Sequence, residues 1–170
     1  MNSLIPVHII RFILLVLIQV FLLDNIGGIF GDTRIMIYPM FIMLLPFQTP
    51  HWLLILLGFI MGLAVDLFTN TPGINSFALT TVAFLRPYIC QAIVPRGGYD
   101  INQSPNKHTF GIEWFVKYSA ILLLICIFIY FLMSYLTFSK ILPTLLFTTT
   151  SFILSYIILI LTQYIFNPKI

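Results

Sequence analysis

This sequence has little charge. Only 8% of its residues are Asp, Glu, Lys or Arg, against roughly 25% in a soluble domain, so a water-facing globular surface is excluded. The basic residues form no cluster, and nucleic acid is not an expected partner. Cysteine is scarcer still, with two residues. Cys90 and Cys126 both lie inside apolar runs, which argues against a disulfide or a metal site and for small core thiols. His8, His51 and His108 stand far apart and make no ligand set. There is no Ser-His-Asp or Cys-His arrangement, no phosphate loop and no carboxylate pair with catalytic spacing. Neither an enzyme nor a bound cofactor or metal is expected.

What is present is apolar sequence. Hydrophobic residues make up 60% of the 170, and the mean hydropathy is +1.06. A spanning helix needs about 20 residues, which leaves room for about six spans and no soluble domain. The reading is an all-α, polytopic transmembrane helical bundle, a single membrane domain over residues 1–170. Spans are expected near 7–23, 35–47, 50–69, 75–94, 113–137 and 141–166, with the polar stretch 95–112 as a cytoplasmic loop. The first span is read as an uncleaved anchor, because Asp24-Asn25-Ile26 follows it without a small-x-small site. The second run, Ile35 to Phe47, has only 13 residues and contains Pro39 and Pro46. Proline removes a backbone donor and bends a helix, so this run is read as broken, tilted or partly spanning. With six spans and the N-terminus inside, Arg11, Arg96, Lys107, Lys117 and Lys169 face the cytoplasm, and Arg34 and Lys140 face out. That bias follows the positive-inside rule and puts both termini in the cytoplasm.

The chemistry concentrates in the hairpin from His51 to Pro95. Two long apolar runs flank Asn70-Thr71-Pro72-Gly73, a tight turn by composition. Each run carries one charge, Asp66 and Arg86, and a charge at bilayer depth costs about 2.5–3.5 kcal/mol on insertion scales. Gly58, Gly62 and Asp66 are four apart and share one face of their helix. A Gly-x-x-x-Gly pair lets another backbone come close, either within this bundle or from a partner. Arg86 is 11 residues past Asn75, about 16 Å deeper at helical rise, so no direct Asp66–Arg86 pair is expected. Asp66 is instead expected to accept hydrogen bonds from the turn and from the N–H groups opening the fourth helix, where Asn75 or Ser76 is the expected N-cap. Asn75, Leu79, Val82 and Arg86 form one stripe, and Pro87 frees the carbonyl of Ala83. Three roles are open to Arg86: bonding freed carbonyls, reaching lipid phosphates, or holding a carboxylate, with Glu113 as the candidate. Thr144, Thr148, Ser151, Ser155 and Thr162 make a small polar face on the last helix, read as an interhelical packing surface.

The run GFIMGLAVDLFTNTPGINSFALTTVAFLRPYI resembles the signature region of the bacterial rod shape-determining protein MreD family, through Gly62, Asp66, Leu67, Gly73, Phe77 and Ala78. Leu-Arg-Pro at 85–87, Pro-Arg-x-Gly-Tyr at 95–99 and Gly-x-x-Trp-Phe-x-x-Tyr at 111–118 are similar to the Bacteroidetes-type variant. The resemblance implies a non-enzymatic scaffold of the bacterial inner membrane, part of the cell-elongation complex that supports cell shape and lateral peptidoglycan synthesis. It implies an MreC-like single-span periplasmic partner, elongation-complex cell-wall synthases, and a fold similar to the substrate-binding component of ECF-type vitamin transporters. It also implies Gly62, Asp66 and Gly73 as motif residues, with Arg86 and Pro87 beside them. The alternative is a small-molecule-binding membrane subunit of a transporter. Gly58, Gly62, Asp66, Gly73, Asn75, Arg86 and Pro87 are therefore the candidate residues, for partner binding or for structure. The lipid bilayer is an expected partner, and self-association is left open.

Overall fold

The structure, a computed structural model, describes residues 4–24, 32–94, 105, 110–135 and 141–165. Those residues build helices and no strand. Helix α1 covers Leu4–Leu17 and continues as a π-helical stretch, Ile18–Leu23. Helix α2 is a single turn, Met40–Met43. Then come α3 (His51–Thr69), α4 (Ile74–Ala92), α5 (Ile112–Tyr135) and α6 (Ile141–Ile165). Four stretches are long and apolar enough to cross a membrane: Pro6–Leu23, His51–Thr69, Ile112–Tyr135 and Ile141–Gln163. Helix α4 matches α3 in length, but Asn75, Ser76, Thr80, Thr81, Arg86 and Gln91 lower its hydropathy. The chain is a helical membrane bundle, with α3 and α4 as its most intimate pair and α5 packed between α4 and α6.

The second apolar run does not form the spanning helix expected over 35–47. Residues 33–37 have no regular structure, α2 supplies one turn, and the chain then bends through Leu44 to Thr49. The prolines explain the interruption: Pro39 opens α2, where no N–H is needed, and Pro46 follows its end. Yet the run lies at the centre of the molecule. Every residue from Ile35 to Leu45 is buried, Tyr38, Ile42 and Met43 completely. It also runs the length of α5. At one end the Tyr135 hydroxyl donates to Asp32 at 3.1 Å, and at the other Phe47 meets the Trp114 ring edge-on at 6.5 Å. Trp114 and Tyr135 are about 32 Å apart at helical rise. The run covers that distance at about 2.1 Å per residue, between the 1.5 Å of a helix and the 3.3 Å of a strand. A run too short to match α5 as a helix does so when half of it is extended, and for this passage along α5 we refer to it as the crossing run.

Irregular backbone at membrane depth survives only where protein satisfies its polar groups. Here the α2 turn and its flanks bond internally, from Met40 N to the Ile37 carbonyl through Leu45 N to the Ile42 carbonyl. The extended half is held by side chains of other helices. Arg34 N donates to Ser151 Oγ at 2.9 Å and Met36 N to Ser155 Oγ at 2.8 Å. Gln19, 2% exposed, donates through Nε2 to the Ile35 carbonyl at 2.8 Å and accepts from Ile37 N at 3.0 Å. Its one amide takes over the two bonds a neighbouring strand would make. The polar face of α6 is therefore more than a packing surface: Ser151 and Ser155 act as backbone partners for this run.

Candidate functional site

The Asp66 carboxylate closes the α3–α4 hairpin. Asn70 ends α3 in the left-handed region at φ 52°, and Gly73, at φ 81°, turns the chain into α4. Glycine adopts that conformation without strain. The helix starts one residue earlier than expected, at Ile74, and its cap is Gly73, which has no side chain to offer. Asp66 supplies the missing acceptor from across the hairpin. Oδ1 accepts from Thr71 Oγ1 at 2.6 Å, Asn75 N at 3.0 Å and Asn75 Nδ2 at 3.0 Å. Oδ2 accepts from Ser76 N at 2.9 Å and Ser76 Oγ at 2.6 Å. Five donors and the positive end of the α4 dipole hold the anion at 6% exposure. Asn75 and Ser76 are thus donors to the cap and not caps themselves.

The two glycines on the Asp66 face serve this closure. A Cβ on Gly62 would lie 2.4 Å from Ser76 Cα and 2.7 Å from the Asn75 carbonyl oxygen. Only glycine lets the backbones meet where Asp66 must reach. At Gly58 a Cβ would meet Ala83 Cβ at 3.0 Å and the Leu79 oxygen at 3.1 Å, a tight contact that is not a backbone collision on both sides. Both glycines face α4, so this Gly-x-x-x-Gly pair is internal. A docking partner must use another face.

Arg86 stands at the other end of the inward stripe of α4. Asn75, Leu79, Val82 and Arg86 are all buried, Arg86 to 2% exposure. Its Nε donates to the Tyr118 hydroxyl at 2.8 Å, and its Nη2 donates to the Leu45 carbonyl. The Tyr118 hydroxyl in turn donates to the Met43 carbonyl at 3.0 Å. Tyr118 stacks on Trp114 at 4.8 Å, and the Phe47 ring lies 5.7 Å from the guanidinium carbon. The arginine therefore bonds a carbonyl, though that of Leu45 in the crossing run and not the one freed by Pro87. Helix α4 continues through Pro87 to Ala92. Glu113 is not its partner: that carboxylate is exposed and pairs with Lys117 at 2.7 Å.

The two sites are linked through the crossing run. The Tyr38 hydroxyl donates to Asn75 Oδ1 at 2.9 Å, and Asn75 Nδ2 passes on to Asp66 and to Thr71 Oγ1. Arg86 and Tyr118 hold the other end of the same run. Beside the Asp66 turn lies an open groove of about 790 Å³, mostly apolar, whose walls include Phe59, Leu63, Leu67, Phe77 and Thr80. A second, smaller hollow of about 300 Å³ lies at the same end, where Asp24 pairs with Arg34 at 3.4 Å and Asp32 accepts from Tyr135. Burial pushes the Asp24 carboxyl above its usual range, against the opposing pull of Arg34 and Gln19. The residues 95–104 and 106–109 of the expected cytoplasmic loop, and Leu136 and Thr137 at the expected end of the fifth span, lie outside the described residues.

Gln19 and Tyr118 were not singled out as site residues by sequence reasoning. Tyr118 entered only within the aromatic motif. The signal at Gln19 was a lone carboxamide in an apolar span, which at bilayer depth calls for a partner. No group of three or more metal-ligating side chains occurs among the described residues. No family model, curated protein or solved structure matches the chain.

Proposed function

We propose that the chain is a non-enzymatic scaffold of the bacterial inner membrane, an MreD-like component of the cell-elongation complex, with both termini in the cytoplasm. In this reading it crosses the bilayer six times, α1, the crossing run and α3 to α6 each making one passage. It holds an MreC-like single-span periplasmic protein and through it supports the synthases that extend the lateral wall. The observation that carries the reading is the closed hairpin. The Gly62, Asp66 and Gly73 of the family-like motif all serve to fix α3 against α4, and the groove of about 790 Å³ lies on the outside of that fixed corner. A single helix entering from the outer side would bury Leu63, Leu67 and Phe77 there. Leu67 is 73% exposed in the isolated chain.

The polar hollow between Asp24, Arg34 and Tyr135 favours the second reading, a small-molecule-binding subunit of a transporter. Purification from native membranes separates the two. Under the scaffold reading a single-span protein with a periplasmic domain co-elutes, and Leu67→Arg, which leaves the Asp66 cap untouched, abolishes that co-elution. A stoichiometric small molecule in the purified protein, with no protein partner, would overturn it.

A further inference from the structure

Two polar side chains of α1 lack a partner among the described residues. His8 and Arg11 are three residues apart and therefore neighbours on one helix face, and both are partly buried. Among the described residues Arg11 makes no hydrogen bond or ion pair, and the Nδ1 atom of His8 is enclosed without a bonding partner. Among the described residues, which include neither Asp100 nor the C-terminal carboxylate, no protein anion is at hand. Asp24, the next carboxylate along the chain, is 13 residues on, about 20 Å at helical rise, and pairs with Arg34. Glu113 pairs with Lys117. Asp32 and Asp66 belong to the opposite end of the bundle, with Tyr135 and Thr71.

The depth of the pair identifies what faces it. Phe12 meets Phe41 edge-on at 5.4 Å, and Phe41 lies two residues before Met43, whose carbonyl is bonded by Tyr118 near the start of α5. His8 is a helical turn further towards that end. There His51 packs against Phe84 and Tyr88 at 5.5 Å and 6.3 Å, and Trp52 and Tyr88 are largely exposed. Amphipathic rings gather at the headgroup level of a bilayer. Arg11 sits five residues inside the candidate span Pro6–Leu23, within the reach of a snorkelling side chain from the phosphate layer, and is flanked by the exposed side chains of Ile9, Ile10, Ile13 and Leu14.

We infer that His8 and Arg11 form a binding site for the phosphate group of an anionic phospholipid, whose acyl chains lie along those flanking residues. The guanidinium takes two phosphate oxygens at once, and the imidazole turns to donate one hydrogen bond to a third. A zwitterionic headgroup brings its own ammonium towards Arg11, and like-charge repulsion makes it the weaker ligand.

The test is titration of the purified protein in detergent with phosphatidylglycerol or phosphatidylcholine, read by native mass spectrometry. Phosphatidylglycerol is expected to bind about tenfold more tightly than phosphatidylcholine, a difference within the range of one charge-assisted contact. Arg11→Gln removes that preference, and Arg11→Lys retains part of it, since an ammonium keeps the charge without the fork. Both variants must elute and melt as the parent does; if Arg11→Gln does not, the Arg11→Lys comparison and the parent's own lipid preference decide. Equal binding of the two lipids by the parent overturns the proposal, as does an undiminished preference in a folded Arg11→Gln protein. Displacement of phosphatidylglycerol by an equal concentration of inorganic phosphate would assign the site to free phosphate and overturn the lipid assignment.

Discussion

Replacing Gln19 by leucine removes the support of the crossing run while keeping a side chain of similar length in α1. The change deletes the 2.8 Å bond to the Ile35 carbonyl and the 3.0 Å bond from Ile37 N. Both backbone groups are enclosed, and neither has water to turn to. Each buried orphan costs about 1–3 kcal/mol, and burying leucine where an amide stood recovers about 1 kcal/mol. The net loss is about 3 kcal/mol. For a chain of this size that corresponds to a fall in Tm of about 10 °C. The assay is thermal unfolding in one fixed detergent, with hydrogen exchange at residues 33–37 as the local readout. Gln19→Glu sharpens it. A carboxylate can still accept from Ile37 N, but its second oxygen then faces the Ile35 carbonyl and Asp24, so at neutral pH it should destabilise at least as much. A leucine variant that melts with the parent, with the Ile37 amide equally protected, would refute the claim that Gln19 carries the run.

Substitutions at five other positions test the hairpin and its links. Gly62→Ala should prevent normal accumulation of the folded protein, because its Cβ meets backbone at 2.4 Å, whereas Gly58→Ala should shift Tm much less; quantitative membrane fractionation and melting distinguish them. Asp66→Leu leaves Asn75 N and Ser76 N without an acceptor and should lower stability by about 3–5 kcal/mol, measured by thermal unfolding. Asp66→Asn keeps one acceptor and should lose about half as much, so equal losses from the two would show that the charge itself is required. Tyr118→Phe leaves the Met43 carbonyl and Arg86 Nε each without their partner, at a cost of about 2–4 kcal/mol. Arg86→Lys should be milder than Arg86→Ala in the same melting assay, since a lysine ammonium can still reach one carbonyl.

The hairpin was legible because its logic is local. Four-residue spacing put Gly58, Gly62 and Asp66 on one face, and helical rise separated Asp66 from Arg86 by depth. The partners of Arg86 were not legible, for a specific reason. Treating Ile35 to Phe47 as a helix, even a bent one, assigns its carbonyls to its own amides, so Leu45 and Met43 present nothing to bond. Glu113 then looks like the available acceptor because it is close in sequence to the same end. The same assumption hid Gln19, Ser151 and Ser155, which need a strand-like backbone before they have anything to hold. Two anomalies were visible separately: a proline-broken run too short to cross as a helix, and polar side chains in spans that had no need of them. Each is the other's explanation, but periodicity within a single segment contains no information about hydrogen bonds between segments.

The reliance of the crossing run on α6 has a consequence for biogenesis. Ser151 and Ser155 follow the amides they receive by 117 and 119 residues. At about 5–20 residues per second, the run emerges from the ribosome many seconds before those hydroxyls exist. Lipid alone cannot shelter its free amides during that interval. The expected course is that the run waits at the interface or in the insertion channel, and that arrival of the last helix latches it into the bilayer. A chain truncated after Tyr135 should therefore leave a cysteine placed at Met36 open to aqueous thiol reagents, while the same cysteine in the full chain is sealed.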